Sequence, residues 1–158
     1  MKSQGRVGLL FLFVVVGTLM LVNLSQAAVS SHKINAKGVG LFTPDGTGEG
    51  GTSETQIIGG GLLQGTAFGD TGVTDVSFPF IMIEGTETFT TNKGTLIVDI
   101  SGAVNLLTGE FVFSGPIADA DGKLDGATGT LMFEGVQDLE TGVFTENITG
   151  VIFVDLSP

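Results

Sequence analysis

The sequence predicts an all-β protein, a single small antiparallel β-barrel of about eight strands, with a β-sandwich as the alternative. Three observations lead to this prediction. The 158-residue chain contains 26 glycines, and runs rich in Thr, Val, Ile and Phe lie between them. No window after residue 30 holds an apolar helical pattern of ordinary length. A hairpin motif occurs twice, and successive hairpins of this kind close into a barrel or stack as a sandwich.

Residues 1–27 have the parts of a secretory signal peptide. A positively charged start precedes an apolar stretch at residues 7–24, and Ser25 and Ala27 supply the small residues of a cleavage site. We expect a signal helix that is removed after Ala27, a single mature domain at residues 28–158, and a secreted or periplasmic protein without stable membrane insertion. The alternative is an uncleaved anchor, because the apolar stretch approaches the ~20 residues that span a bilayer.

The first half of the mature chain predicts strands that are interrupted by glycine and proline. Early strands are expected at residues 37–43 and 56–68, and the three glycines at residues 59–61 predict a sharp bend or a close backbone approach. Residues 73–83 are apolar on both faces. Because proline cannot donate to a strand ladder, Pro79 predicts an edge, a bend or a bulge there.

The second half contains the clearest strand and the hairpin repeat. At residues 94–101, Leu96, Val98 and Ile100 fall on one face, which predicts one buried and one wet face. Further strands are expected at residues 110–113, 130–134 and 143–154.

The repeat consists of two short segments, each of which occurs twice in the sequence. GTLIV at residues 94–98 and NLLTGEF at 105–111 recur as GTLMF at 129–133 and DLETGVF at 138–144. Each copy indicates a strand, a turn begun by Asn or Asp with Gly at positive φ, and a return strand.

The composition excludes several classes of function. The formal net charge is −11 and the pI is about 4.1, whereas nucleic-acid binding needs Lys and Arg to neutralise phosphates. Without cysteine, and with His32 as the only histidine, the chain lacks thiolate nucleophiles and the ligands of the usual zinc sites. His32 also follows closely on the expected new N-terminus, where an orienting partner is seldom available. We expect no cofactor and no nucleic-acid partner.

The composition leaves paired carboxylates as the candidates for general acid–base catalysis. The candidates are Glu84, paired with Glu87, and Asp99 with Glu134, which we expect on neighbouring strands. A carboxyl group that points into the barrel would have a raised pKa and could act as an acid. The alternative for Glu84 and Glu87 is that they flank a turn at residues 85–86 and face water.

The spacing of the acidic residues before the last two strands is similar to that of a calcium-binding loop. These residues are Asp119, Asp121 and Asp125. Alternating carboxylates followed by glycine can converge on a hard cation. However, the spacing lacks the closing Glu and the flanking helices of an EF-hand. We therefore expect no metal site, and an ordinary solvated Asp-Gly turn instead.

Phenylalanine supplies the aromatic mass of the chain and the candidates for contact with an apolar ligand. Phenylalanine has no polar handle, so it suits a dry core or an apolar cavity. Phe78 and Phe80 share one face of their run, as do Phe111 and Phe113, and both pairs are expected to point inward together with Phe133. Whether the rings fill the barrel or line a pocket stays open at this point.

Residues 121–131, DGKLDGATGTL, resemble the Gly-Gly-Thr-Gly-Lys/Arg-Phe-x-Gly-Ala-x-Gly stretch of the allene oxide cyclase and dirigent-like β-barrels. The resemblance implies a small eight-stranded antiparallel barrel with a central apolar cavity, and it allows a homo-oligomer. For the enzyme members it implies cyclisation or stereochemical guidance of a hydrophobic substrate. This chain has Asp-Ala-Asp-Gly where the family begins the stretch with Gly-Gly-Thr-Gly, so no catalytic residue is carried over.

Three functional hypotheses follow. The first, favoured by the shortage of catalytic side chains, is an exported non-catalytic barrel that binds an apolar small molecule or serves as a stable extracellular component. The second is a cyclase or isomerase in which a buried carboxylate transfers a proton in the barrel cavity. The third is a cell-surface adhesion module that pairs through strand edges.

Overall fold

The structure is a computed structural model that describes residues 29–157. The expected signal helix at residues 1–27 lies outside the described residues. The part described is one closed, antiparallel barrel in which every strand pairs with the next along the chain. The eight strands are β1 (Ser30–Pro44), β2 (Gly50–Gly59), β3 (Gly65–Ser77), β4 (Phe80–Thr91), β5 (Gly94–Asn105), β6 (Glu110–Ala120), β7 (Thr128–Gln137) and β8 (Val143–Val154).

Pairing between the first and the last strand closes the barrel. The β1–β8 ladder runs from Ser30 opposite Val154 to Leu41 opposite Val143. The predicted all-β barrel of eight strands is therefore confirmed, and the sandwich alternative is wrong. Since each strand of residues 29–157 is paired on both sides, these strands offer no free edge, and the adhesion hypothesis loses its mechanism. In the same part of the chain, no helix is long and apolar enough to cross a membrane.

Several strands are longer than the glycine spacing predicted. The segment at residues 56–68 contains the end of β2, a short 3-10 helix at Gly61–Leu63 and the start of β3, so the bend predicted at the three glycines is confirmed. Pro79 lies in the turn between β3 and β4, which confirms a bend there. By contrast, the turn suggested at residues 85–86 is wrong, because both residues lie inside β4.

The two predicted hairpins are β5–β6 and β7–β8, and both turns have the expected chemistry. In the first, Gly109 N–H donates to the Asn105 carbonyl at 2.8 Å, and in the second Gly142 N–H donates to the Asp138 carbonyl at 2.8 Å. Both glycines have a positive φ, 73° and 77°. The Asp138 carboxylate also accepts the Glu140 N–H at 2.9 Å. Local turn chemistry thus determines where these strands reverse.

One end of the barrel is packed solid. The chain termini of the barrel and the β2–β3, β4–β5 and β6–β7 connections lie at this end, and two of those connections are 3-10 helices that insert apolar side chains. Leu62 and Leu63 come from the first, and Leu124 from the second, at Gly122–Leu124. They pack with Phe89, which is fully buried, and with the other inward side chains of the main core. Leu62, Leu63 and Leu124 therefore form a plug that closes this end of the interior.

Replacing the plug residue Leu124 tests this arrangement. We expect Leu124→Ala to lower the free energy of unfolding by about 2–5 kcal/mol, because it removes a fully buried side chain and leaves a void. Leu107→Ala is the matched control, since Leu107 lies 68% exposed in the β5–β6 turn, and it should change the value by no more than about 0.5 kcal/mol. Urea denaturation measures both. Equal values for the two variants would contradict the assignment of Leu124 to the plug.

Candidate functional site

The other end of the barrel is hollow. A cavity of about 390 Å³ lies inside it, and its mouth is formed by the connections β1–β2, β5–β6 and β7–β8. Leu106 and Leu139 line it from two of these turns, and Phe42 lines it from the end of β1. Because the plug closes the opposite end, the cavity is a blind pocket rather than a channel.

Aromatic rings form one wall of this cavity. Phe111 and Phe113 on β6 are stacked with ring centroids 5.2 Å apart, and Phe144 on β8 meets Phe111 edge-on at 5.9 Å. Phe133 on β7 also lines the cavity, and it stacks on Phe89 of the core at 6.2 Å. Such offset and edge-on pairs prefer these separations. The wall is thus a fixed apolar surface.

Glycines on neighbouring strands make room for the rings. A Cβ atom at Gly135 would collide with the Phe111 ring, and one at Gly40 would collide with the Phe144 ring. Both glycines lie inside strands, where a glycine ordinarily lowers stability. Their role here is close approach, since the rings lie across the strands beside them.

Polar side chains line another part of the cavity. Glu87 comes from β4 and Glu146 from β8, and both are buried, with exposures of 7% and 8%. Ser53 and Thr55 from β2 line the same region.

Two more glycines, Gly69 and Gly38, leave space for the carboxyl groups. A Cβ atom at Gly69 would meet both the Glu87 carboxyl group and the Ser53 hydroxyl, and one at Gly38 would lie 2.5 Å from Glu146 Oε1 and 2.8 Å from the Thr55 methyl group. Glu87 therefore leans toward β2 over β3, and Glu146 leans toward β2 over β1.

The protein environment favours the neutral form of both acids. Burial, and next the charge of Glu146, raise the pKa of Glu87 from 4.5 to about 8. Burial raises the pKa of Glu146 from 4.5 to about 7. Both carboxyl groups therefore gain and lose their protons near neutral pH, which is the property required of a general acid or base.

Thr55 adds an unsatisfied polar atom to this cluster. Thr55 is 4% exposed, and within residues 29–157 its Oγ1 is the one buried side-chain oxygen or nitrogen without a hydrogen-bond partner. Buried hydroxyls are ordinarily hydrogen-bonded. A ligand in the cavity could provide the missing partner.

The carboxylates singled out from the sequence lie elsewhere. Glu84, Asp99 and Glu134 are all exposed on the outside of the barrel. Asp99 and Glu134 were expected on neighbouring strands, which is wrong, because β6 separates β5 from β7. The expectation that Glu87 faces water is also wrong. Glu84 and Glu87 differ by three positions along β4, so alternation places them on opposite faces of the sheet.

The predicted phenylalanines divide into two groups. Phe111, Phe113 and Phe133 face inward and line the cavity. The inward direction expected of Phe78 and Phe80 is wrong, since Phe78 is 74% exposed in the β3–β4 turn and Phe80 is 45% exposed at the start of β4. The turn at Pro79 interrupts the strand on which the two rings were expected to share an inner face.

The acidic loop before β7 has a structural role in the described chain. Asp121 Oδ1 accepts the Thr95 N–H at 2.8 Å and so ties this loop to the start of β5. Asp119 Oδ1 accepts the neighbouring Ala120 N–H at 2.9 Å. Asp125 is exposed in the same loop. No cluster of three or more His, Asp or Glu side chains able to hold a metal ion occurs within residues 29–157.

The sequence analysis missed Phe144 and Thr55 of this site, and it also missed Glu146. A signal for it was present, because Phe144, Glu146, Ile148, Ile152 and Val154 occupy alternate positions of the final strand. A single charged residue on an otherwise apolar face indicates a buried charge. The same signal identifies Glu87, which lies two positions before Phe89.

Comparisons with known proteins concern the fold. No protein-family model matches the chain, and no curated protein matches it. Among solved structures, that of the pterocarpan synthase dirigent protein PsPTS1 is similar, with a TM-score of 0.45 and 15% sequence identity, over 80% of this chain and 96% of that one.

The buried acid pair predicts an unusual dependence of stability on pH. Between the ordinary value of 4.5 and about 8, the folded protein binds more protons at Glu87 and Glu146 than the unfolded chain does. The free energy of unfolding should therefore fall as pH rises through this window, because the folded protein must give up those protons. Glu87→Gln should flatten the profile and stabilise the protein at the alkaline end.

Urea denaturation from about pH 5 to about pH 9 measures this profile. Glu54→Gln is the control, because Glu54 is exposed on β2, and it should leave the slope unchanged. The backbone N–H groups of Thr47 and Thr141 donate to Asp45 and Asp138 and lower the pKa values of these two acids. Their titration therefore lies below this pH range and does not contribute to the slope. A stability that stays level or rises across the window would contradict the burial of an acid pair.

Proposed function

We propose that the protein is an exported binding protein that holds an apolar small molecule in the open half of its barrel. The observation that carries this proposal is the blind cavity with its wall of phenylalanine rings. Its volume of about 390 Å³ lies in the range of ordinary ligand pockets, about 300–1,000 Å³. Export is supported by the signal-peptide pattern of residues 1–27.

The distribution of side chains inside the barrel supports binding over simple structural filling. The plug and the main core already occupy one half of the interior. In the other half, Phe42, Phe111 and Phe144 stand around open space with a mouth between the turns. Apolar cavities of this kind take up apolar molecules, because burial removes the surfaces of both partners from water.

Blocking the cavity tests the proposal. Val104 lies on the inner face of β5 against the cavity, and Val112 on β6 is 51% exposed on the outside. We expect Val104→Trp to abolish ligand retention, because the indole would occupy the space of the ligand, and Val112→Trp to retain it. Native mass spectrometry of the protein purified from its own source, in both variants and the unmodified chain, detects the bound molecule. Retention that Val104→Trp leaves intact would refute binding in the barrel.

A second function, that of a cyclase or isomerase, is favoured by one specific observation. Glu87 and Glu146 border the cavity, and their pKa values of about 8 and about 7 suit proton transfer at neutral pH. In such a reaction a carboxyl group donates a proton to a bound hydrophobic substrate, and a carboxylate then takes a proton from another atom of the protonated intermediate, which gives the product. The phenylalanine wall would fix the orientation of the substrate, and water would be excluded.

Conversion of material from the source organism tests this second function. An isomerase produces a compound with the mass of its substrate and a different chromatographic retention time. We expect the unmodified protein to convert one compound of an organic extract into a second compound of equal mass. Glu87→Gln and Glu146→Gln should slow this conversion by about 10²–10⁴-fold, the usual contribution of general acid catalysis. Glu54→Gln should be fully active. Retention of activity in both cavity variants would exclude this mechanism.

A further inference from the structure

The titratable groups around the cavity are acidic without exception. They are Glu87 and Glu146 in its interior and Glu140, exposed in the β7–β8 turn at its mouth. No Lys, Arg or His contributes to the cavity lining formed by residues 29–157. The chain as a whole carries a formal charge of −11. The surface therefore attracts cations and repels anions, and the interior does the same when its carboxyl groups are ionised.

Within residues 29–157, no basic side chain of the cavity lining compensates the two buried carboxyl groups. A buried carboxylate is ordinarily paired with a positive group or protonated. Glu87 and Glu146 start on opposite strands of the barrel and lean toward the same strand, β2. When the two groups are ionised, this arrangement places their negative charge on the β2 side of the cavity.

Thr55 supplies an independent sign of a missing ligand. It lies on β2, where the two carboxyl groups converge, and its Cγ2 shares the space over Gly38 with Glu146 Oε1. Its Oγ1 is buried and has no partner. A group with several hydrogen-bond donors could satisfy Thr55 and both carboxylates together. A primary ammonium group has three donors and no acceptor.

We propose that the cavity selects an organic cation, an amine whose aromatic or alkyl body lies against the phenylalanine wall and whose ammonium group reaches Glu87, Glu146 and Thr55. This inference rests on the proposed binding function and specifies the class of its ligand. A carboxylate of the same shape is disfavoured at this position, because it repels the pair when the pair is ionised.

Binding of the ammonium group also moves protons in a defined direction. In the free protein the acid pair holds protons near neutral pH. When the ammonium arrives, its positive charge favours the ionised carboxylates, and the displaced protons go to the solvent. The amine keeps its own proton, because the pKa of an alkylammonium is about 10.4. Binding therefore releases protons, whereas binding of a neutral ligand of the same shape does not.

Three probes that differ only in the head group test the inference. They are 4-phenylbutylamine, 4-phenylbutan-1-ol and 4-phenylbutanoate, each titrated calorimetrically into the purified protein at pH 8. We expect the amine to bind on the order of tenfold more tightly than the alcohol, as is typical of hydrogen bonds to charged groups, and the carboxylate to bind most weakly. Titration of the amine in two buffers of different ionisation enthalpy should show proton release.

The variants assign the selectivity to the acid pair. Glu87→Gln and Glu146→Gln should each remove most of the amine's advantage and leave the alcohol's affinity within about twofold. Both substitutions replace a buried acid by a neutral side chain of similar shape, and thermal unfolding checks that the variants are folded. Glu54→Gln, on the outer face of β2, should keep the full advantage of the amine.

The possible results separate this inference from the function on which it rests. Equal binding of amine and alcohol, or amine binding without proton release, would overturn the selection of a cation and leave apolar binding intact. Tightest binding by the carboxylate would overturn the inference in the same way. Absence of binding by all three probes would overturn the inference and count against the binding function itself.

Discussion

Closure of the sheet by the β1–β8 ladder is the constraint on which the rest of the structure depends. Once the ladder forms, the inward side chains of eight strands share one interior that is just wide enough for those side chains or for one small ligand. This protein does both, in different halves of the barrel. Leu62, Leu63 and Leu124 close one end, and the turns at the other end leave the interior open.

Glycines inside the strands make this interior possible. Four large inward side chains, Phe111, Phe144, Glu87 and Glu146, each extend over a glycine of an adjacent strand. Because those positions carry no Cβ, the side chains lie against the wall and the centre of the cavity stays empty. The many glycines of the chain therefore do more than form turns: they give the wall its shape.

The acid pair conflicts with the apolar interior around it. Two carboxyl groups in an apolar environment are destabilising when ionised, and no buried cation of the described barrel compensates them. Folds retain such conflicts at functional sites, where stability is sacrificed for binding or chemistry. The unpartnered hydroxyl of Thr55 lies in the same cluster, and so the polar conflict of the interior is concentrated beside the cavity.

The sequence by itself determined the features that depend on neighbouring residues. Alternation placed Leu96 and Val98 inside, and the Asn105 and Asp138 turns located both hairpins, because pleat and turn chemistry act over a few residues. Only the tertiary structure decided which strands meet. Asp99 and Glu134 proved to be separated by β6, and closure brought Glu87 and Glu146 together from opposite walls. Alternation along β4 and β8 indicates that each acid is buried, but the charge of one acid beside the other is a property of the closed interior, which no local pattern encodes.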